Sequence, residues 1–146
     1  MKIEVKKLNK NAKLPYRATA GSAGADLFAC IERDIVIESG QRVLISTGIA
    51  VEIPENGYGG FVFARSSVAS RYGVSLSNCV GVIDSDYRGE VKIPIINHGQ
   101  DAYTVKNGDR IAQLMFMPVY QAAFLPVDEL DETERGTGGF GSTGVN

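Results

Sequence analysis

The sequence contains few of the residues that bind zinc or form disulfides. Its 146 residues include two cysteines, Cys30 and Cys79, and one histidine, His98. Because none of them lies in a Cys-x-x-Cys pair or a similar metal-ligand spacing, we expect no zinc site. Apolar or small residues flank both cysteines, which predicts buried free thiols, as in a cytoplasmic protein, with a disulfide as the alternative. The histidine precedes a glycine and is typical of a solvated turn, which argues against a Ser-His-Asp triad.

Long apolar runs and an excess of positive charge are also absent. No run approaches the roughly 20 apolar residues that span a bilayer, and the N-terminus lacks the apolar core of a signal peptide. These observations predict a cytoplasmic protein with no membrane partner. The net charge of −2 gives no basic surplus for binding a nucleic-acid polymer. Small anions remain compatible ligands, because a few arginines and backbone N–H groups bind them without a basic overall charge.

Short strand-like runs make up most of the chain and predict an all-β domain. The hydrophobic share of 44% is enough to build one core. Runs rich in valine and isoleucine alternate with turn signals such as Asn56-Gly57, roughly every 8 to 12 residues, as in β-sandwiches and β-barrels. After an extended arm over residues 3–8, we predict strands over residues 27–31, 34–38, 42–46, 49–53, 59–64, 74–76, 80–83, 90–96, 103–105, 111–118 and 122–127.

One helix, one proline and the C-terminal tail complete the local predictions. The helix is predicted over residues 65–71, with Ser66 or Ser67 as its N-cap. Pro94 lies inside a predicted strand, and since proline cannot donate to a ladder, we expect an edge strand or a bulge there. The β domain is predicted to span residues 1–127, followed by an acidic linker and a glycine-rich arm over residues 128–146.

The glycine-rich arm has two interpretations. Five glycines among residues 135–144 are typical of a flexible, disordered terminus. Alternatively, glycine frees successive backbone N–H groups to point at one anion, and Arg135 offers a two-pronged donor for phosphate. Phe140, set among these glycines, then suits the closure of the arm over a flat ring.

A dense group of polar side chains follows the predicted strand 80–83. Asp84, Asp86, Tyr87 and Arg88 come within five residues of one another. Because Asp84 directly follows an apolar pair, we expect it at the rim of an apolar wall, partly desolvated, which favours a role as a base. A polar turn held by an Asx-type hydrogen bond is the alternative.

Two further stretches contain polar residues that are candidates for a functional site. Arg65, Ser66 and Ser67 open the predicted helix and form either an anion site or an ordinary N-cap. In the second stretch, residues 108–114, strand alternation places Ile111 and Gln113 on one face. A surface amide is the alternative for Gln113.

Five stretches resemble, in the same order, the five motifs of the homotrimeric dUTP pyrophosphatase (dUTPase) family. They are residues 23–27 (AGADL), 65–69 (RSSVA), 81–89 (GVIDSDYRG), 108–114 (GDRIAQL) and 135–144 (RGTGGFGSTG). The resemblance implies a jelly-roll-like β-barrel or sandwich and a homotrimer with shared active sites, in which the tail of one chain closes over a nucleotide held by the other two. It also implies hydrolysis of dUTP to dUMP and pyrophosphate, which supplies dUMP for thymidylate synthesis and keeps uracil out of DNA.

The resemblance implies roles for the residues around the nucleoside. Asp84 matches the aspartate that orients and deprotonates the attacking water. Tyr87 matches the ring that packs on the deoxyribose and leaves no room for a 2′-hydroxyl. The residues that match the uracil pocket are Asn78, Val82 and Ile83.

The resemblance also implies how the triphosphate is held. The matching phosphate-binding residues are Arg65, Ser66, Ser67 and Gln113, and those of the closing tail are Arg135, Phe140, Gly141 and Ser142. Lys92 falls at a position that approaches the nucleotide in some relatives. Mg²⁺ is the implied cofactor, with no direct protein ligand: it is held through the substrate phosphates and water, with Asp26 nearby. One departure is Ser67, because many members of the family have glycine at this position. Serine favours a negative φ, so the replacement bears on the local backbone geometry.

Two alternatives to dUTP hydrolysis remain open at this point. A nucleotide-binding regulatory module would capture dUTP without turnover. A dCTP deaminase of the same fold uses a glutamate on the strand after the acidic turn, but here that strand reads KIPII over residues 92–96. No glutamate stands at the matching place of this strand, which argues against the deaminase.

Overall fold

The computed structural model describes residues 1–54 and 56–139. The elements run in the order β1 (Glu4–Lys7), β2 (Ala25–Phe28), β3 (Ile35–Ile37), β4 (Arg42–Ser46), β5 (Ile49–Glu52), β6 (Tyr58–Phe63), α1 (Ser66–Tyr72), β7 (Val74–Leu76), β8 (Gly81–Ile83), β9 (Lys92–Asn97), β10 (Tyr103–Val105) and β11 (Arg110–Pro118). The predicted all-β class is confirmed. Within the described ranges no helix has the length and apolar character needed to cross a membrane.

The strands form small antiparallel sheets around one core. The largest sheet has the order β2-β11-β6-β8, a second has the order β4-β9-β7, and two further pairs are β1-β5 and β3-β10. The long strand β11 pairs with β2 and with β6, so it joins the first motif to the middle of the chain. Side chains from several sheets meet in the interior, where Leu27, Ile45, Ile93 and Leu114 are fully buried.

The predicted strand over residues 122–127 is wrong for the single chain. The last described strand ends at Pro118, and residues 119–127 form no strand. Their apolar side chains face solvent, with Phe124 94% and Leu125 81% exposed. A strand needs a hydrogen-bonded neighbour, and sequence pattern alone does not reveal whether one is at hand. The predicted domain division at residue 127 stays a prediction.

The predicted serine N-cap of the helix is also wrong. Arg65 occupies the N-cap position with extended backbone, at φ −86° and ψ 129°, and its side chain makes no capping hydrogen bond. The chain enters α1 directly from β6, so Ser66 is already the first helical residue. At the other end Gly73 adopts a left-handed conformation with φ 69°, and its N–H bonds to the carbonyl of Ala69.

Pro94 lies in a strand with neighbours on both sides, but its own position is at a local edge. Strand β9 has β4 on one side and β7 on the other. The carbonyl of Pro94 accepts a hydrogen bond from the N–H of Ser77, just beyond the end of β7. In an antiparallel strand the N and O of one residue point to the same neighbour, so the missing donor of Pro94 faces the place where β7 has ended. The proline is therefore tolerated at a local edge.

Strict alternation of buried and exposed side chains fails at the start of β11. The pairing of β11 with β2 shifts register between Arg110 and Ala112, and both Ile111 and Ala112 are buried. Such a shift is typical of a β-bulge, which puts two successive side chains on one side.

The two cysteines are not both buried, contrary to the prediction from the sequence. Cys30 is half-buried, but Cys79 is exposed and has a left-handed φ of 63°.

Candidate active site

A cavity of about 630 Å³ lies beside the acidic turn that follows β8. Apolar side chains from β6, β7 and β9 form part of its wall, among them Val62, Leu76 and Pro94. Six of the residues predicted from the sequence line it: Asn78, Val82, Ile83, Asp84, Tyr87 and Lys92. The fold therefore gathers the predicted nucleoside-binding residues from two strands and two turns around one space.

A tight turn presents Asp84 and Tyr87 together at this cavity. The N–H of Tyr87 donates to the carbonyl of Asp84 at 3.1 Å. Arg88 braces the turn from outside, since its guanidinium donates to the carbonyl of Ser85 at 2.7 Å and pairs with Glu52 at 3.3 Å. The carboxylate of Asp84 is exposed in the single chain, so the partial desolvation expected from the sequence is not found there. The apolar pair before it does not cover it, because Ile83 points into the core.

Strand β8 borders the cavity as an edge strand. It pairs only with β6 within the described sheet, through residues Gly81 to Ile83. Val82 is exposed and Ile83 is buried, as the two-residue period of a strand requires. On the other side of the same turn region, Asn78 lies just after β7 and is exposed at the cavity. An edge backbone and an amide side chain thus meet over an apolar wall.

A second polar cluster joins three of the motifs. Asp26 on β2 accepts a hydrogen bond from Nε of Arg65 at 2.8 Å and from Arg110 at 3.1 Å. Gln113 on β11 donates from its amide nitrogen to the carbonyl of Ala64 at 2.9 Å, which holds the residue just before Arg65. Both oxygens of Asp26 are therefore engaged by arginines.

The two serines that follow Arg65 are exposed and unstrained. Ser66 and Ser67 occupy the first turn of α1 with their side chains accessible. Among the described non-glycine residues, only Cys79 has a positive φ. Ser67 therefore needs no left-handed conformation, and the serine in place of the family's usual glycine introduces no backbone strain here.

One of two packed tyrosines, Tyr103, has a raised pKa. The rings of Tyr72 and Tyr103 lie 5.3 Å apart between centroids. Burial raises the pKa of Tyr103 above its ordinary value, and the charges of Asp109 and Tyr72 raise it further, while Arg65 opposes the change. The phenol of Tyr103 therefore favours its neutral form more than a solvated tyrosine does.

The closing-tail residues are only partly described. Arg135 is exposed and its Nε donates to the carbonyl of Gly138 at 2.9 Å, in a turn of the tail itself. Phe140, Gly141 and Ser142 lie outside the described residues. Their contacts with a nucleotide therefore stay a prediction.

The positions of the His, Cys, Asp and Glu side chains indicate how a divalent metal would be held. In the described part of the chain, no group of three or more His, Cys, Asp and Glu side chains is placed to hold a metal ion. Asp26 directs both carboxylate oxygens at arginines. This arrangement fits a cation that arrives on the phosphates of a ligand better than one held in a cage of protein carboxylates.

A comparison with protein-family models assigns the chain. The dUTPase family model matches residues 10–144. The chain belongs to the dUTPase family. The family resemblance inferred from the five motifs is therefore confirmed.

Relatives and solved structures of this family match over nearly the whole chain. The deoxyuridine 5′-triphosphate nucleotidohydrolase of Desulfitobacterium hafniense is 55% identical over 146 residues, covering 100% of this chain and 97% of that protein. The corresponding protein of Acinetobacter baumannii is 47% identical, covering 99% of each. Staphylococcus bacteriophage 80alpha dUTPase with dUPNHPP superposes with a TM-score of 0.88 at 31% identity, covering 99% of each chain.

A further structure is described with a metal. A mutant dUTPase from phage phi11 of S. aureus, described with a structural Mg(II) ion, superposes with a TM-score of 0.80 at 26% identity and covers 90% of this chain and 100% of its own.

Glu90 is a cavity residue that the sequence predictions did not include. It lines the same cavity as Asp84 and Tyr87, and its backbone carbonyl accepts a hydrogen bond from the Tyr87 hydroxyl at 3.0 Å. The available signal was its spacing, because Glu90 and Lys92 are two residues apart and side chains with that spacing share one face of an extended chain.

Proposed function

We propose that this member of the dUTPase family hydrolyses dUTP to dUMP and pyrophosphate in the cavity beside the acidic turn. The observation that carries the proposal is that Asp84, Tyr87 and Asn78 border one cavity. A water oxygen attacks the α-phosphorus, the bond to the bridging oxygen of the β-phosphate breaks, and pyrophosphate leaves. Asp84 takes the proton of the water. Its exposed carboxylate, presented by a braced turn, is accessible to a water at the phosphate.

The sugar and base would be read by different parts of the same wall. Tyr87 packs against the deoxyribose and leaves no room for a 2′-hydroxyl. The uracil edge meets Asn78 and the backbone around Val82 and Ile83, since an edge strand has N–H and C=O groups available for a ligand. Cytosine presents the wrong donors and acceptors there, and each mispaired buried polar group costs roughly 1–3 kcal/mol.

The triphosphate would be held by the second polar cluster together with the tail. Its contacts would come from Arg65, Ser66, Ser67, Gln113 and Arg135, while Lys92 approaches the nucleotide from the cavity. Phe140, with Gly141 and Ser142, closes over the base in this proposal. Bound Mg²⁺, carried by the phosphates, would neutralise the charge of the leaving pyrophosphate. The chain's own groups position the triphosphate for in-line attack, which is the main source of rate in phosphoryl transfer.

We further propose that the active protein is a homotrimer with sites shared between chains. The cavity lining and the second polar cluster have no described residue in common. One chain alone therefore does not gather the nucleoside and phosphate residues around one space. The exposed apolar side chains after β11 include Tyr120, Phe124, Leu125 and Leu130. Apolar patches of this kind are typical of interfaces between protein chains.

The reaction is tested by measuring pyrophosphate release with Mg²⁺ and each of dUTP, dTTP, dCTP and UTP. Release from dUTP alone is the expected result. Ammonia release from dCTP would instead indicate a deaminase, although the strand that contains Pro94 has no glutamate at the matching place. Binding of dUTP with no release from any of the four nucleotides would favour a regulatory nucleotide-binding module.

A further inference from the structure

Glu90 connects the tyrosine of the cavity to the turn between β4 and β5. Its carboxylate oxygen Oε1 accepts a hydrogen bond from the N–H of Gly48 at 2.8 Å. Its backbone carbonyl accepts a hydrogen bond from the hydroxyl of Tyr87 at 3.0 Å. The second carboxylate oxygen lies 3.5 Å from Nζ of Lys92, and 22% of the Glu90 side chain is exposed. One residue thus joins the cavity wall to a neighbouring loop.

The Gly48 end of this connection is held firmly. Gly48 has a left-handed φ of 68°, and a Cβ there would lie 2.9 Å from the sulfur of Cys30, so the loop packs closely. The adjoining Thr47 is buried, and its hydroxyl donates to the carbonyl of Val91. The backbone on both sides of the Glu90 side-chain contact is therefore fixed to the core.

The Tyr87 ring is held by one hydrogen bond and by its close approach to Gly89. The side chain is 45% exposed, so packing alone leaves the ring room to move. Below the ring lies Gly89, where a Cβ would stand 2.9 Å from the ring carbon Cε2. In the described structure the hydroxyl contact with Glu90 is the one hydrogen bond made by the phenol. The distance of the ring from a bound sugar therefore depends on where the Glu90 carbonyl stands.

We propose that Glu90 is a positioning residue for the exclusion of ribonucleotides. Its carboxylate, anchored on the N–H of Gly48, acts together with the hydrogen bond from the Val91 N–H to the carbonyl of Ile49 at 2.9 Å to fix the carbonyl that holds the Tyr87 hydroxyl, and so sets the approach of the ring to the sugar. The inference rests on the proposed role of Tyr87 as the ring that blocks a 2′-hydroxyl. Exclusion by contact depends on placement, because a displacement of about 1 Å can change a rate by about 100-fold.

The test is the ratio of kcat/KM for dUTP to that for UTP in two Glu90 variants. Glu90→Ala removes the anchor and is expected to lower the ratio by about tenfold or more. Glu90→Gln keeps an oxygen acceptor for Gly48 and loses the charge that faces Lys92, so it should retain most of the ratio. Glu38→Ala is the matched control, since Glu38 is an exposed carboxylate that does not line the cavity.

A double-mutant cycle separates positioning from general destabilisation. Tyr87→Phe removes the hydroxyl through which Glu90 is proposed to act, so Glu90→Ala should change the ratio little further in that background. Additive effects of the two substitutions on the ratio would overturn the proposal. An equal loss of kcat/KM for both nucleotides in Glu90→Ala, with the ratio unchanged, would also overturn it as a merely structural effect.

The wild-type protein distinguishes failure of this inference from failure of the proposed function. If the wild type does not prefer dUTP to UTP, or if Tyr87→Ala leaves the preference intact, the proposed role of Tyr87 fails and the Glu90 inference falls with it. If the wild type has the preference, Tyr87→Ala loses it and Glu90→Ala keeps it, only the inference about Glu90 is overturned.

Discussion

The carboxylate of Asp26 lies 2.8 Å from Nε of Arg65, with 13% of the Asp26 side chain exposed. The second oxygen of Asp26 faces Arg110 at 3.1 Å. One terminal amino group of Arg65 also donates to the carbonyl of Arg110 at 3.3 Å. Asp26 therefore orients the arginine that we propose for phosphate binding.

Replacing Asp26 by asparagine is predicted to weaken dUTP binding. The amide keeps the shape but turns an NH₂ group toward one of two arginines, which leaves a half-buried guanidinium without its partner. We expect a higher KM for dUTP and a loss of about 1–3 kcal/mol in the free energy of unfolding. Steady-state kinetics and urea unfolding measure both effects. Asp34→Asn, at an exposed position, is the control, and an unchanged KM in Asp26→Asn would contradict the positioning role.

Replacing Asp84 by asparagine is predicted to separate binding from turnover. The amide cannot take a proton from water, so kcat should fall by about 10²- to 10⁴-fold, the usual contribution of a general base. Equilibrium binding of dUTP should stay close to that of the wild type. Asp86→Asn, an exposed carboxylate two residues along the same turn, serves as the comparison. Full turnover by Asp84→Asn would refute the assignment of the base.

Replacing Gly89 by alanine is predicted to relax sugar selectivity. A Cβ at this position would stand 2.5 Å from Cζ of Tyr87, so the ring must move. Gly89 is outside the left-handed region, so its backbone accepts alanine without strain. The kcat/KM ratio of dUTP to UTP should therefore fall while the melting temperature changes little. Gly21→Ala, where a Cβ meets nothing within 4 Å, should leave the ratio unchanged.

Removing residues 135–146 is predicted to abolish turnover and leave the assembly intact. The truncation deletes Arg135 and the rest of the proposed closing tail, while the apolar side chains after β11 that we assign to assembly remain. Pyrophosphate release and light scattering measure the two properties. A chain that lacks only residues 145 and 146, which follow the fifth motif, is the control. Normal turnover by the shorter chain would disprove the closing role of the tail.

The raised pKa of Tyr103 predicts a specific loss of stability at alkaline pH. The neutral phenol is favoured in the folded state, so its contribution is complete below the unfolded pKa of 10.0. As the pH rises from that value through the higher folded pKa, the unfolded chain ionises first and the free energy of unfolding falls.

Tyr103→Phe tests this pH dependence. The variant should lose less stability than the wild type between pH 9 and pH 11.5, a window set around the unfolded pKa of 10.0. Thermal unfolding at a series of pH values measures the difference. Tyr16→Phe, at a largely exposed tyrosine, should follow the wild type. Parallel curves for Tyr103→Phe and the wild type would show that the Tyr103 titration does not contribute.

Much of the fold could be predicted because it depends on local pattern. The strands Arg42–Ser46, Val74–Leu76 and Tyr103–Val105 begin and end where alternation and turn residues place them. The errors arose where distant chain decides the outcome. Pro94 is tolerated because its partner strand ends beside it, and the run 122–127 is not a strand because no described strand of the same chain lies alongside.

The sequence by itself determined which residue types carry the chemistry and in what order they come. The acidic turn, the Arg-Ser-Ser stretch and the glycine-rich tail are recognisable as motifs, and they led to the family. Tertiary structure alone decided which of these groups support one another. Arg65 and Asp26 are 39 residues apart, and Gly48 and Glu90 are 42 residues apart. Contacts over such separations depend on how sheets pack around a common core, and local propensity carries no record of that packing.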